Sequence, residues 1–221
     1  MTVAASNRDA FIRAHTRLGR PPLTPEIQLW LAAEATALWE ASEAFLEETG
    51  LPPPFWAFAW AGGQALARYV LDRPEVVLDR RILDFGAGGG LVAIAALQAG
   101  AAAALAVDVD PFAAAAVRMN GAANGCRPNA LTADATSLDP AEFDVVLAAD
   151  VCYDRRQSEP ASAWLRRAAA ADVTVLIGDP GRTYLLKDGL TPVADYVVPT
   201  PKDLERESMT PTRVWRLEAG K

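Results

Sequence analysis

Histidine and cysteine are scarce in this chain, which has one histidine, His15, and two cysteines, Cys126 and Cys152. The cysteines are far apart, form no CxxC pair and have no cluster of histidines around them, so neither a disulfide framework nor a zinc site is indicated. Chemistry that needs a histidine base would depend on His15 alone, which is remote in sequence from the glycine-rich loop described below. We therefore expect no metal centre.

Long apolar runs and basic stripes are also missing. No stretch is long and apolar enough to predict a membrane span, and the N-terminus lacks the apolar core of a secretory signal. Arginine doublets at residues 80–81, 155–156 and 166–167 are isolated among acids, in a chain of net charge −7. Because a protein that neutralises phosphates usually has a basic stripe, a DNA or RNA substrate is disfavoured.

The chain is long enough for one domain with a substantial core, since 51% of its 221 residues are hydrophobic. After residue 80, short apolar segments that predict strands alternate with segments that predict helices. This alternation favours an α/β fold, a parallel sheet with helices on both faces. Two further strands, at residues 193–198 and 213–217, are predicted to form a closing hairpin.

Residues 1–50 are predicted to form a helical extension ahead of the sheet. A first helix is expected over residues 8–20. Thr24 has the character of a capping residue and predicts the start of a second helix, which is expected to end at Gly50. The remaining residues, 51–221, are predicted to form the main domain.

A glycine-rich loop is the most informative segment. The apolar strand predicted at residues 82–85 runs into four glycines within residues 86–90, and a helix is predicted to begin at Leu91. This order presents backbone amides to a nucleotide. A dinucleotide fingerprint would need a third glycine where Leu91 stands. Asp84 would also repel a pyrophosphate by roughly 3 kcal/mol at 5 Å and an effective dielectric of 20, so an NAD-dependent oxidoreductase is disfavoured.

The pattern Asp84-x-Gly86-x-Gly88-x-Gly90 instead resembles the first motif of the seven-strand S-adenosylmethionine-dependent methyltransferases. S-adenosylmethionine carries an ammonium and a sulfonium and no phosphate, so Asp84 would attract it. The resemblance implies a Rossmann-like sheet of six parallel strands and one antiparallel strand, with S-adenosylhomocysteine as the product. We therefore expect these four residues to bind the cofactor.

Two acids follow the next predicted strands. Asp108 stands at the end of the strand after the glycine loop, where a carboxylate would hydrogen-bond the ribose hydroxyls. The alternative is that Asp108 and Asp110 open the next helix, and for Asp110 the capping role is preferred. Asp134 ends the strand predicted at residues 130–133. In the methyltransferase architecture an acid there meets the adenine amino group, and the alternative is a solvated loop acid.

An aromatic block at residues 55–63 has the most unusual local composition in the chain. One interpretation is that Trp56 and Trp60 wall the cofactor and the acceptor amine, while Gly62 and Gly63 let backbone pass close to the methionine part. An aromatic face beside a sulfonium or ammonium contributes about 0.5 to 2 kcal/mol. The alternative is that the block simply closes one end of the core.

Asp150 and Tyr153 follow the predicted central strand, next to the expected position of the transferable methyl group. Methyltransferases that act on planar amide or adenine nitrogens carry two prolines between an Asn or Asp and a Tyr here, and both prolines are absent. A carboxylate and a phenol suit a lysine ammonium better. Freeing the lone pair of a lysine costs roughly 4 kcal/mol at neutral pH. Since Asp150 would raise the pKa of that lysine, we expect Asp150 to capture and orient the amine while water takes the proton.

A narrower resemblance rests on four segments outside the glycine loop. They are residues 23–29 (LTPEIQL), residues 56–69 (WAFAWAGGQALARY), residues 150–153 (DVCY) and residues 176–182 (LIGDPGR). Together they resemble the electron transfer flavoprotein beta-subunit lysine methyltransferases, from about residue 20 to the end of the chain. One departure is Ala61, where that family usually has proline.

This resemblance implies that Asp150 and Tyr153 support methylation of a lysine on the electron transfer flavoprotein beta subunit. The absence of a transit signal and the high alanine content favour a bacterial, cytoplasmic form. Two alternatives stay open: another protein N-methyltransferase, and a small-molecule N-methyltransferase of the same fold.

Overall fold

A seven-stranded sheet forms the centre of the molecule. The computed structural model describes residues 5–32, 53–200 and 208–220. The strands of the sheet are β3 (Arg81–Phe85), β4 (Ala103–Asp108), β5 (Asn129–Thr132), β6 (Val145–Ala149), β7 (Thr174–Asp179), β8 (Leu190–Pro199) and β9 (Met209–Leu217). Their spatial order is β5-β4-β3-β6-β7-β9-β8. Six strands of this sheet run in one direction and β9 runs in the opposite direction, which confirms the predicted six parallel strands and one antiparallel strand.

Helices cover both faces of the sheet. They are α2 (Ala61–Asp72), α3 (Leu91–Gln98), α4 (Pro111–Ala123) and α5 (Arg155–Ala170). One hydrophobic cluster joins α2 and α3 to one face, and a second joins α5 to the other face through Trp164 and Leu165. In β6, Val145 and Leu147 belong to the first cluster and Val146 to the second. A strand that is buried on both faces needs a continuous apolar run, as β6 has.

The N-terminal segment differs from its prediction. Helix α1 (Ala5–His15) is followed by two short antiparallel strands, β1 (Arg17–Gly19) and β2 (Leu29–Leu31). The helix predicted over residues 8–20 therefore ends earlier, and the prediction of a helix starting at Thr24 is wrong. Thr24 lies between two successive turns, in which its own amide donates to the Pro21 oxygen and its oxygen accepts from the Ile27 amide. The rest of the predicted second helix, from residue 33 to Gly50, lies outside the described residues.

Side chains of α4 and of Asn124, the residue that follows it, explain why the chain at β2 is extended. The amide of Gln28 donates to the side-chain oxygen of Asn124, and the amide of Trp30 donates to that of Asn120. These bonds satisfy backbone donors that a helix would have paired within itself. Helix α1 also packs on α4, because Ile12 is fully buried in the cluster that contains Phe112. The described part of the extension is thus docked on the main domain.

Among the described helices, none is both long and apolar enough to cross a membrane.

Candidate active site

A cavity of about 540 Å³ opens at the carboxyl ends of β3, β4 and β6. Open α/β sheets bind ligands at this edge, and the volume lies within the range of small-molecule sites. Its lining includes all but two of the predicted site residues: Trp56, Trp60, Gly63, Asp84, Gly86, Gly88, Asp108, Asp134, Asp150 and Tyr153. The other two predicted residues, Gly62 and Gly90, are not part of the lining. In the described part of the chain, no group of three or more His, Cys, Asp or Glu side chains is arranged to hold a metal ion.

The glycine loop needs its glycines for conformation and for close packing. Gly86, Gly88 and Gly90 have φ values of 68°, 50° and 77°, in the left-handed region that favours glycine. Gly90 caps α3, and a Cβ on it would lie 2.9 Å from a methyl group of Val117 in α4. Gly90 therefore supports the loop through helix packing, while Gly86 and Gly88 face the cavity.

Asp108 is tied to this loop by its carboxylate. One oxygen accepts from the Gly88 amide at 2.8 Å and the other from the Asp110 amide at 2.9 Å. Burial raises the pKa of Asp108, and the backbone hydrogen bonds oppose that shift. The capping role preferred for Asp110 is confirmed, because its side chain accepts from the Phe112 amide at the start of α4. Asp110 lines the cavity as well.

Asp84 is a buried carboxyl at the floor of the cavity. Only 2% of the residue is exposed, and one oxygen accepts from the Ala93 amide in the first turn of α3 at 2.9 Å. Burial raises the pKa of Asp84 to about 8, and the nearby charge of Asp108 adds to the shift. A phosphate would add like charge here, whereas a cationic ligand would favour the ionised form of both acids.

Asp150 occupies an unusual backbone conformation directly after β6. Its φ is 54°, in a region that Asp and Asn enter more readily than most other residues. One carboxylate oxygen accepts from the Gly63 amide at 2.9 Å, and the other accepts from the Arg182 guanidinium at 3.1 Å. Burial raises the pKa of Asp150 to about 7, while the charge of Arg182 opposes that rise and the charge of Asp179 adds to it.

Gly62 and Gly178 allow α2 to approach β7 and Asp150. A Cβ on Gly62 would lie 2.2 Å from the backbone oxygen of Gly178 and 2.6 Å from a carboxylate oxygen of Asp150. A Cβ on Gly178 would lie 2.3 Å from the backbone oxygen of Gly62. Any larger residue at either position would separate the helix from the strand. This contact brings the Gly63 amide within reach of Asp150.

Arg182 is a cavity residue that the site prediction missed. It ends the turn that follows β7, where the carboxylate of Asp179 accepts from the amides of Gly181 and Arg182, both at 2.7 Å. The segment Gly178-Asp179-Pro180-Gly181-Arg182 was recognisable as a turn. Nothing local showed that its arginine would meet Asp150, because that contact depends on β6 and β7 being neighbours.

The aromatic block both packs in the core and lines the cavity. Trp56 is 3% exposed and stacks on Phe112 in the core, with ring centroids 6.0 Å apart, yet it also lines the cavity. Trp60 donates its indole N–H to the backbone oxygen of Phe55 and lies 5.9 Å below the Arg182 guanidinium. Tyr153 lies beside them, with its ring centroid 5.3 Å from that of Phe55.

Two predicted polar residues have local partners. The Tyr153 hydroxyl donates to the side-chain oxygen of Gln157 at 2.7 Å, and burial raises the pKa of Tyr153. One oxygen of Asp134 accepts from the amide and the hydroxyl of Thr136 and caps the short helix Ala135–Ser137. Asp134 is thus both a loop cap and a lining residue.

Comparison with known proteins identifies relatives along most of the chain. The family model described as ribosomal protein L11 methyltransferase (PrmA) matches residues 64–151. The electron transfer flavoprotein beta subunit lysine methyltransferase of Rattus norvegicus is 39% identical over 202 residues, which cover 87% of this chain and 77% of that protein. The protein of the same name from Xenopus laevis is 36% identical over 215 residues, which cover 95% of this chain and 86% of that protein.

Solved structures confirm the fold at low sequence identity. A putative RNA methyltransferase from Pyrococcus horikoshii aligns with a TM-score of 0.55 and 14% identity, over 72% of this chain and 84% of that chain. Magnesium protoporphyrin IX methyltransferase from Synechocystis PCC 6803, solved with bound S-adenosylmethionine, aligns with a TM-score of 0.51 and 19% identity, over 72% and 78%. The predicted Rossmann-like, seven-strand methyltransferase fold is confirmed.

Proposed function

The chain belongs to the electron transfer flavoprotein beta subunit lysine methyltransferase family, and from that premise we propose that it methylates a lysine of that subunit with S-adenosylmethionine as donor. The observation that carries the proposal is the extent of the similarity. The similarity to the Xenopus laevis protein, at 36% identity, extends over 95% of the chain. It therefore reaches far beyond the glycine loop that methyltransferases share. The fold alone would leave the acceptor open.

The cavity suits a cationic cofactor without phosphates. Its inner wall holds the carboxyl groups of Asp84 and Asp108 beside a loop whose glycines leave backbone exposed to the cavity. We infer that Asp108 would bind the ribose hydroxyls and that Asp84 would face the positively charged end. Trp56 would wall the cofactor, and Asp134 would meet its adenine amino group. When bound, S-adenosylmethionine supplies a methyl carbon activated by a sulfonium.

The acceptor amine is expected between Asp150, Tyr153 and Trp60, which line the same cavity. The Asp150 carboxylate would bind the lysine ammonium and orient its nitrogen. It would also raise the pKa of that lysine, so it is not suited to be the proton acceptor. Deprotonation costs roughly 4 kcal/mol at neutral pH, and water reaching the cavity mouth would take the proton. The residues around the amine thus contribute mainly by holding it in line for transfer.

A labelling experiment tests the proposed substrate. The enzyme is incubated with isotopically labelled S-adenosylmethionine and purified electron transfer flavoprotein, and the label is located by mass spectrometry. We expect label on a lysine of the beta subunit, and none when that lysine is replaced by arginine. A parallel incubation with a cell extract shows whether other proteins compete. Label on a different protein, with none on the flavoprotein, would contradict the proposed substrate while leaving the methyltransferase activity intact.

A further inference from the structure

We propose that Arg182 is a positioning residue for the acceptor site, which holds the Asp150 carboxylate in the orientation and charge state needed to receive a lysine ammonium. This inference rests on the proposed lysine methyltransferase function. It adds a residue and a role that neither the glycine loop nor the Asp150 and Tyr153 motif supplies.

The first support is the way in which two separate elements hold Asp150. The Gly63 amide of α2 reaches one carboxylate oxygen, and the Arg182 guanidinium reaches the other from the turn after β7. An ionised carboxylate has about four acceptor positions on its two oxygens. One donor to each oxygen fixes the group and still leaves an acceptor position on each for an incoming amine. Arg182 can therefore stay in place while substrate binds.

The second support is that Arg182 is itself held. The Asp179 carboxylate fixes the turn through the amides of Gly181 and Arg182, and Gly181 has a φ of 90° that favours glycine. The guanidinium lies 5.9 Å from the Trp60 ring, within range of a cation–aromatic attraction. The Arg182 side chain is only 22% exposed, unlike a freely solvated arginine.

The third support is the charge balance around Asp150. The groups that face it are the Arg182 guanidinium, the Asp179 carboxylate at the end of β7, the Cys152 thiol of its own loop and the Gly63 amide. Burial and Asp179 favour the neutral carboxyl, and Arg182 supplies the positive charge that opposes them. Without Arg182, the carboxyl would take up a proton more readily. A neutral carboxyl no longer attracts an ammonium.

The test compares Arg182→Gln and Arg182→Lys with the wild type by measuring kcat and KM for methyl transfer between pH 6 and pH 9. Loss of a charge this close shifts a carboxyl pKa by about 1 to 3 pH units. The acid limb of kcat/KM in Arg182→Gln should move upward by that amount, with a loss of about fivefold or more at pH 7 that becomes smaller toward pH 9. Arg182→Lys keeps the charge, so its acid limb should stay near that of the wild type.

Arg81→Gln serves as the matched control. Arg81 also forms an ion pair with an aspartate, Asp144, at the opposite end of β3 from the cavity, and its loss should leave the pH profile unchanged. S-adenosylhomocysteine affinity, measured by calorimetry, should stay within a few fold of the wild type in every variant.

Two results would overturn the inference. One is an acid limb in Arg182→Gln that coincides with that of the wild type. The other is a lower KM with undiminished kcat, which would make the guanidinium a competitor of the substrate lysine. A failure of the proposed function would instead show in the wild type, as no lysine methylation at all.

Discussion

The side-chain amide of Asn120 donates to the backbone oxygen of Gly89 at 2.8 Å, so helix α4 holds the glycine loop from behind. The side-chain oxygen of Asn120 accepts from the Trp30 amide at 2.7 Å. A single fully buried side chain therefore connects the cofactor loop to the N-terminal strand β2. Sequence segments that are far apart meet at one amide group.

Replacing Asn120 by Ala should destabilise the protein and weaken cofactor binding together. The change leaves the Gly89 oxygen and the Trp30 amide without that partner, and a buried polar group left unsatisfied costs about 1 to 3 kcal/mol. Urea unfolding should show the loss in the free energy of unfolding, and calorimetry should show weaker binding of S-adenosylhomocysteine. Asn129→Ala, at an exposed position in β5, is the control and should change neither quantity. If Asn120→Ala bound S-adenosylhomocysteine with wild-type affinity, the glycine loop would hold its shape without the hydrogen bond from Asn120.

Asp150→Asn should keep the fold and the cofactor but lose most methyl transfer. Asparagine tolerates the positive φ of this position and retains one carbonyl oxygen for the Gly63 amide, so the backbone is not strained. It loses the charge that attracts an ammonium, and charged hydrogen bonds of this kind contribute about 1.5 to 3 kcal/mol. We expect kcat/KM to fall by about 10- to 150-fold, with S-adenosylhomocysteine affinity nearly unchanged.

Asp172→Asn is the matched control for that change. Asp172 also has a positive φ, 60°, but is exposed and lies between α5 and β7, ahead of the strand rather than after it. Its replacement should leave both stability and turnover at wild-type values. Undiminished turnover in Asp150→Asn would show that the charge of the Asp150 carboxylate is not needed to bind the acceptor amine.

The acids at the sheet edge were predictable because their signals are local. Asp84 is the residue before the last in apolar strand β3 and Asp108 is the last residue of β4, and parallel strands bring such residues to one edge of the sheet. Arg182 was not predictable in this way. Its partner Asp150 is 32 residues away in sequence, and only the pairing of β6 with β7 brings the two together.

The error in the N-terminal segment has a similar cause. Thr24 followed by proline is a good helix start, and the prediction followed that signal. Buried Ile27 and Leu29 alternate with less buried neighbours, a pattern that is typical of a strand. The partners of the extended backbone at Gln28 and Trp30 lie 96 and 90 residues away, at the C-terminal end of α4. Tertiary hydrogen bonds of that range override a local helix signal.

Adjacent glycines at the start of α2 should respond in opposite ways to alanine. Gly62→Ala would place a Cβ 2.2 Å from the Gly178 oxygen, so α2 must move away from β7, at a cost of about 1 to 3 kcal/mol for overpacking. Gly63→Ala has its nearest neighbour, Leu91, at 4.0 Å, and alanine in a helix is favoured over glycine by about 0.8 to 1.0 kcal/mol. Thermal unfolding of the two variants measures this contrast. Equal stabilities would show that α2 can separate from β7 without cost.

Binding of S-adenosylmethionine should weaken as the pH falls from 8 to 6. Burial raises the pKa of Asp84 to about 8 and that of Asp110 to about 7, so both acids gain protons in this range when the cavity holds no cation. A bound cation favours the ionised carboxylates and lowers their pKa values, so binding below pH 8 releases protons and affinity rises with pH.

We expect binding to weaken by about tenfold or more between pH 8 and pH 6. When binding releases one proton, the affinity falls by a factor of ten for each unit by which the pH drops below the pKa. Calorimetry in two buffers of different ionisation enthalpy counts the released protons directly. Asp84→Asn should reduce both the proton release and the pH dependence. Asp144→Asn should change neither, because hydrogen bonds from Arg81 lower the pKa of Asp144 to about 2 and it stays ionised throughout. Identical proton release in Asp84→Asn and the wild type would show that Asp84 does not meet the positive charge of the cofactor.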